Sequence, residues 1–377
     1  MKLYAHQKTF LLANPNKALL AWEVNCGKTL AGVEWLRSRQ GNAIVISPKK
    51  IKGKWKTALG DVQATIYTKE EFKKISDTIK NPTALVADEI HHFSSGAFLR
   101  TRSQLTTAMY NFIKKYPDMP VLGLSATMVR SNPANFHTLL CYIGQAPDWK
   151  SWRKEFYTLE RRPFLPRPAY FPVEDWRIKI RTYLVKHASI ALMKDCMDIP
   201  KITEKTVLVP SQPFKVDPTL EVAKRFTAQH RHEQLAKVKA IREIAEGHRK
   251  VMIAVFYTEQ IEALAKELAK DRQVYVLNGK VKDQEAVIKQ AEQDDECYFL
   301  CQSGMGEAFD APSFNVLIFA SMSYPYLHFQ QMKGRITRGK ELQPKAYYYL
   351  IGGKADKAVF EQVQMGKDFD PKYFYEK

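Results

Sequence analysis

Short apolar runs alternate with amphipathic, helix-like segments along most of the chain. In the first half these runs predict strands at Ala43–Ser47, Ala84–Ala87 and Val121–Leu124. In the second half they predict strands at Val251–Phe256, Val274–Leu277, Tyr298–Cys301, Val316–Ala320 and Tyr347–Ile351, with helical patterns such as Gln260–Lys270 and Asp283–Ala291 between them. Strands that alternate with helices indicate a parallel sheet covered on both faces. We therefore expect an α/β fold that binds its ligands at the carboxyl ends of the strands.

The segment from Trp149 to Pro210 departs from this pattern. It is rich in aromatic residues, arginine and proline, and we find no alternation of strands and helices in it. We interpret it as a helical, aromatic and basic connecting subregion, residues 148–210, between a first lobe at residues 1–147 and a second lobe at residues 211–377. The basic stretch from Arg161 to Arg167 is either a nucleic-acid contact or a structural brace with solvated arginines.

Composition points to a packed protein with a polyanionic partner. Hydrophobic residues make up 45% of the 377 positions, which favours folded cores over disorder. The 58 Lys and Arg residues exceed the 40 Asp and Glu residues and give a net charge of +18, which favours a nucleic-acid partner over a purely solubilising role. The five cysteines form no Cys-x-x-Cys pair, and no apolar run approaches the ~20 residues that span a bilayer. We expect a reduced, cytoplasmic protein without a membrane segment.

The tripeptide Gly-Lys-Thr at residues 27–29 carries the first candidate chemistry. It follows an apolar run at residues 18–21 and precedes a helix-like run at residues 30–37. Strand, loop and helix in this order are typical of a phosphate-binding loop, whose backbone N–H groups point at phosphate oxygens. In such a loop Lys28 reaches the β- and γ-phosphates, and the Thr29 hydroxyl binds Mg²⁺.

The match to a phosphate-binding loop is incomplete. Trp22 stands where the pattern has its first glycine, and Asn25 occupies a position inside the loop. Asparagine tolerates positive φ better than most residues do, so a tight loop is still possible. Because Gly-Lys-Thr also occurs by chance in many chains, the rest of the sequence has to support a nucleotide site.

Two further pairs of charged residues fit phosphoryl chemistry. Asp88 and Glu89 directly follow a predicted strand, where one carboxylate can hold Mg²⁺ and the other can deprotonate the attacking water. An ordinary acidic turn is the alternative. Arg335 and Arg338 are three residues apart, so on one helix their side chains share a face and can reach one phosphate. A solvated basic helix end is the alternative for this pair.

The order of these motifs along the chain is specific. Gly-Lys-Thr at 27–29, Asp-Glu-x-His at 88–91, Ser-Ala-Thr at 125–127 and Gln-x-x-Gly-Arg-x-x-Arg at 331–338 resemble the motif series of superfamily-two helicases and translocases. Residues 21–29, 4–7, 44–48 and 303–306 resemble the corresponding segments of the Swi/Snf-type branch. Trp22, Asn25, Gly334 and Ser-Ala-Thr depart from that branch. We therefore interpret the chain as a minimal motor related to it, of a compactness that suits a phage or mobile element.

The resemblance implies two RecA-like lobes with ATP and Mg²⁺ bound between them. The implied catalytic residues are Lys28, Asp88, Glu89, Gln331, Arg335 and Arg338. The implied cofactor-binding residues are Gln7, Asn25, Cys26, Gly27, Lys28, Thr29, Gly306 and Asp310, with Thr29 and Asp88 on Mg²⁺. The implied coupling residues are His91, Ser125 and Thr127, and the nucleic-acid contacts are Lys49, Lys50, Lys52, Arg130, Ser303 and Gly304.

Three functions remain open from the sequence. The leading hypothesis is a DNA-stimulated ATPase that translocates on double-stranded DNA, acting as a monomer. The second is a helicase that separates DNA or RNA strands. The third, from another class, is a nucleotide-gated DNA-binding protein that hydrolyses little ATP, which the departures at Trp22 and Asn25 make conceivable.

Overall fold

A computed structural model describes residues 3–23, 25–39, 41–94, 103–129, 132–161, 167–196, 198, 200–210, 217, 219–306, 309–337 and 343–365. The chain divides into two compact units, Met1–Met197 and Asp198–Lys377. The division falls inside the segment that the sequence analysis interprets as a connecting subregion.

The first unit is built on a six-stranded parallel sheet with the strand order β3–β2–β4–β5–β1–β8. Every position of β2, β4 and β5 is buried, as expected for central strands covered by helices on both faces. The elements of this unit are α1 (Ala5–Ala13), β1 (Lys17–Trp22), α2 (Lys28–Arg37), β2 (Ala43–Ser47), α3 (Lys52–Leu59), β3 (Ala64–Thr68), α4 (Lys69–Ile75), β4 (Ala84–Asp88), α5 (Gln104–Lys115), β5 (Val121–Leu124), α6 (Pro133–Tyr142), α7 (Trp149–Phe156), β6 (Tyr157–Glu160), β7 (Ala169–Pro172), α8 (Trp176–His187), β8 (Ala188–Ala191) and α9 (Met193–Cys196).

The second unit repeats the architecture with the strand order β11–β12–β10–β13–β14–β9, again with all neighbours parallel. Its elements are β9 (Ile202–Leu208), α10 (Val222–Leu235), α11 (Val238–Ala245), β10 (Lys250–Val255), α12 (Thr258–Leu268), β11 (Gln273–Leu277), α13 (Gln284–Gln293), β12 (Cys297–Gln302), β13 (Val316–Phe319), α14 (Tyr326–Lys333), β14 (Lys345–Ile351) and α15 (Lys354–Gln364). Two α/β lobes of the RecA-like type, predicted from the sequence, are therefore confirmed.

The segment from Trp149 to Pro210 does contain strands and helices, so the prediction that it lacks their alternation is wrong. Strands β6 and β7 form an antiparallel hairpin between α7 and α8. Strand β8 pairs with β1 and extends the first sheet, while β9 pairs with β14 and extends the second. Strands β6, β7 and β8 were not predicted because they have only four residues each. Strand β9 was not predicted because it lies at the edge of its sheet and is mostly exposed, so it forms no apolar run.

Candidate active site

Three predicted motifs of the first unit lie at the same edge of its sheet. The predicted phosphate-binding loop follows β1, the acidic pair begins at the last residue of β4, and Ser125 follows β5. Because β4, β5 and β1 are consecutive in the sheet and parallel, their carboxyl ends are neighbours. The sheet topology thus brings together the lysine, the two carboxylates and the Ser-Ala-Thr segment.

The loop before α2 has the tight backbone that a phosphate site requires. Asn25 and Gly27 both have left-handed φ values, +69° and +72°. A Cβ atom on residue 27 would lie 2.3 Å from Gln7 Nε2 and would displace this amide, so both the space and the positive φ favour glycine there. Lys28 Nζ donates hydrogen bonds to the carbonyl oxygens of Trp22 at 2.8 Å and Glu23 at 3.0 Å, which holds the ammonium group across the loop. Asn25 therefore adopts the left-handed conformation that a glycine would readily adopt at this position of the loop.

Helix α1 braces this loop. The buried Gln7 side chain accepts a hydrogen bond from Tyr4 N at 2.7 Å and donates one to Gly27 O at 2.9 Å. His6 Nε2 lies 2.8 Å from Cys26 O, a contact that the sequence analysis did not anticipate. Gln7 thus contacts the loop directly, and its role in binding ATP stays a prediction.

Asp88 is held by two hydrogen bonds. Its Oδ2 atom accepts one from Trp55 Nε1 at 2.8 Å, and its Oδ1 atom accepts one from Glu89 N at 3.0 Å. Burial and the neighbouring charge of Glu89 raise the pKa of Asp88 to about 7. Glu89 itself has a φ of +51°, a conformation that residues other than glycine adopt mainly where the surrounding structure requires it. No pattern in the sequence indicates this contact of Trp55 with the carboxylate, which joins residues 33 positions apart.

Glu89 belongs to a compact polar network. Its Oε2 atom lies 3.2 Å from His91 Nδ1 and accepts a hydrogen bond from Ser125 Oγ at 3.2 Å. His91 Nδ1 also lies 2.8 Å from Ser125 Oγ, which in turn accepts a hydrogen bond from Thr127 N at 3.0 Å. Of the three residues predicted to couple the ATP site to nucleic acid, His91 and Ser125 therefore contact Glu89, and Thr127 joins them through Ser125.

The same network controls the ionisation of Glu89. Burial acts to raise its pKa, but the hydrogen bond from His91 and the charges of His91 and Lys28 together lower the pKa to about 2. The side chain is 17% exposed, so water can reach it. An ionised, oriented carboxylate next to a lysine is suited to take a proton from water.

The residues at this edge also fit Mg²⁺. Thr29 lies in the first turn of α2 and Asp88 at the end of β4, and a hydroxyl and a carboxylate are hard oxygen ligands of the kind this ion prefers. The N–H donors on the two Asp88 oxygens fix the orientation of the carboxylate. A bound Mg²⁺ ion would neutralise this buried charge and bind phosphate oxygens.

The predicted nucleic-acid contacts of the first unit follow β2. Lys49 and Lys50 are exposed in a 3₁₀ turn, Lys49–Ile51, and Lys52 begins α3 with its ammonium 2.9 Å from Glu71. Arg130 lies outside the described residues. In the second unit, Ser303 and Gly304 form a 3₁₀ turn directly after β12, with the Ser303 side chain buried.

Arg335 points into its own unit. Its guanidinium is 3% exposed and donates hydrogen bonds to Gln331 O at 2.8 Å and Phe309 O at 2.6 Å. It also pairs with Asp310 at 3.3 Å, so it ties the loop that carries Asp310 to the end of α14. Gly306 lies against α14 as well, because a Cβ atom there would be 3.3 Å from Met332 N. Arg338 lies outside the described residues.

Comparison with known proteins supports a helicase relationship. Residues 236–340 match the family described as the helicase conserved C-terminal domain. The fold of the chain matches the crystal structure of the Pyrococcus furiosus Hef helicase domain with a TM-score of 0.56 and 12% identity, over 96% of this chain and 98% of that one. At that identity the likeness to the Hef helicase domain shows the fold alone.

No curated protein sequence matches the chain. Among the described residues, no helix combines the length and the apolar composition needed to cross a membrane.

Proposed function

We propose that this protein is an ATP-dependent motor that hydrolyses ATP on binding DNA and translocates along the duplex, as a monomer in a reducing cytoplasm. The observation that carries the proposal is the meeting of Lys28, Asp88 and Glu89 at the carboxyl edge of three neighbouring strands. The match of residues 236–340 to a helicase C-terminal domain supports a nucleic-acid motor over other ATP hydrolases.

Each residue has a separate task in the proposed hydrolysis. Lys28 binds the β- and γ-phosphates, while Thr29 and Asp88 hold Mg²⁺. Glu89 is ionised and held in orientation by His91 and Ser125, so it accepts a hydrogen bond from the attacking water and takes its proton. Of the two arginines, we favour Arg338 for the transferring phosphoryl group, where such a residue contributes about 10³–10⁵ in rate. Arg335 is already engaged with Asp310 and backbone carbonyls.

The positive net charge of the chain favours contacts between the proposed motor and the phosphates of nucleic acid. The chain carries a net charge of +18, and Lys49 and Lys50 are exposed at the edge where β2 ends. Contacts to phosphates carry no sequence information, as a motor that moves over any sequence requires.

One feature favours strand separation as a second candidate. The β6–β7 hairpin pairs Leu159 with Tyr170, and these side chains are 60% and 42% exposed. Arg153 lies over the Tyr170 ring, 4.7 Å from its centroid. An exposed apolar pair with an arginine beside an aromatic ring is able to stack on unpaired bases.

Displacement of a triplex-forming strand, compared with unwinding of a forked duplex, separates the two candidates. We expect triplex displacement, and we expect duplex DNA to raise ATP turnover more than single strands do. The double variant L159A/Y170A should displace the triplex-forming strand as wild type does. Its control is T158A, a substitution next to Leu159 in β6. If wild type and T158A unwind the forked duplex and the double variant does not, the protein is a strand-separating helicase and the proposed duplex translocase is wrong. DNA binding without turnover would favour the nucleotide-gated binding protein.

A further inference from the structure

The Trp55 side chain is tightly packed between helix α2 and the central strands β4 and β5. It lies in α3, is 1% exposed and packs among buried residues that include Val86 and Leu124. A Cβ atom at position 32 of α2 would lie 3.0 Å from the outer edge of its ring, so Gly32 leaves the space that the indole occupies. The direction of the indole N–H is therefore fixed by packing on several sides.

That N–H group donates a hydrogen bond to the Asp88 carboxylate at 2.8 Å. The contact joins residues 33 positions apart and is fully buried. The other Asp88 oxygen is held by the backbone N–H group of the next residue, so the Trp55 side chain and this N–H group together fix the rotation of the carboxylate. A partner that orients a metal-binding carboxylate in this way tunes the affinity for the metal.

Helix α3 also borders the proposed nucleic-acid surface. It begins with Lys52 and directly follows the turn with Lys49 and Lys50, and it carries two more exposed lysines, Lys54 and Lys56. Trp55 points the other way, into the core. Helix α3 has eight residues, with lysines on its outer side and Trp55, the partner of Asp88, on its inner side. It therefore links the proposed nucleic-acid surface to the proposed metal site.

We propose that Trp55 is a positioning residue that orients Asp88 for Mg²⁺ and transmits nucleic-acid contact at α3 to the metal. When the lysines contact phosphates, α3 is held in place, and with it the indole and the carboxylate. Nucleic acid therefore increases hydrolysis in part by stabilising the metal-binding geometry. This inference rests on the proposed function of the site.

The test compares W55F with W35F. Trp35 is an equally buried tryptophan of the same apolar cluster, and its Nε1–H donates to Pro15 O at 2.9 Å, so W35F loses the same kind of bond away from Asp88. Each protein is saturated with a non-hydrolysable ATP analogue, and Mn²⁺ binding is measured by electron paramagnetic resonance. We expect W55F to bind Mn²⁺ about 10–100-fold more weakly than wild type, and W35F to bind it as wild type does. Equal affinities in W55F and W35F would overturn the positioning role.

A second arm tests the transmission. We expect W55F to bind duplex DNA within twofold of wild type but to show little rise in ATP turnover on adding it, while W35F keeps the full rise. If duplex DNA raises ATP turnover of W55F as much as that of wild type, Trp55 does not transmit nucleic-acid contact to the metal site. If W55F fails to fold, site-specific β-(3-benzothienyl)alanine at position 55 replaces it, since this residue keeps the ring shape and lacks the N–H donor. A wild-type protein that binds neither the analogue nor Mn²⁺ would instead contradict the proposed function itself.

Discussion

Glu89→Gln should lower steady-state ATP turnover by about 10²–10⁴-fold while leaving the binding of ATP intact. The amide has nearly the shape of the carboxylate but cannot accept a proton from water. Glutamine can still accept a hydrogen bond from Ser125 Oγ, so the fold around it should persist. The measurement is phosphate release at saturating ATP and duplex DNA, together with the affinity for a fluorescent ATP analogue.

The control for this variant is Glu34→Gln. Glu34 lies on α2, the helix that follows the phosphate-binding loop, and its carboxylate pairs with Arg37 on the surface. An exposed pair of this kind contributes little to stability, so turnover should stay near wild type. Turnover of the Glu89 variant within threefold of wild type would show that another group is the base.

Lys28→Ala should reduce turnover by about 10²–10³-fold and also weaken ATP binding, which distinguishes it from the Glu89 variant. In the proposed site the ammonium is the cation that the loop provides for the β- and γ-phosphates. It is held across the loop by the carbonyl oxygens of Trp22 and Glu23, so its removal also loosens the loop itself. Turnover and analogue affinity are measured side by side, with duplex DNA binding recorded for the same preparation.

Lys8→Ala is the matched control, because Lys8 is an exposed lysine on α1, the helix that braces the loop. All six tryptophans lie in the first unit, so their fluorescence reports whether that unit remains folded in each variant. A folded Lys28 variant with full turnover would place phosphate binding elsewhere. Loss of DNA binding together with ATP binding would instead indicate that the loop supports the whole unit.

Much of the first unit's site was predictable because its residues follow buried apolar strands. The predicted strands at Ala43–Ser47 and Val121–Leu124 agree with β2 and β5 at both ends, and β4 extends the third by one residue to Asp88. Parallel topology then places the residues that follow neighbouring strands at one edge. Strand periodicity and motif order therefore led to Lys28, Glu89 and Ser125.

The remaining features depend on tertiary packing and left no local signal. The bond between Trp55 and Asp88 joins residues 33 positions apart, and only the packing of α3 against α2 and the sheet brings them together. The inward direction of Arg335 depends on its contacts with Phe309 O and Asp310, which the spacing of two arginines on one helix face does not reveal. The β6–β7 hairpin has strands of four residues, too short for an alternating pattern to emerge.

The most direct test of the proposed motor is the rate of ATP hydrolysis by the purified wild-type chain, with Mg²⁺, in the presence and absence of duplex DNA. We predict slow hydrolysis alone and a rise of at least tenfold with DNA, lost in the Glu89 variant and kept in its Glu34 control. Hydrolysis that duplex DNA leaves unchanged, or the absence of hydrolysis with any nucleic acid, would contradict the proposal.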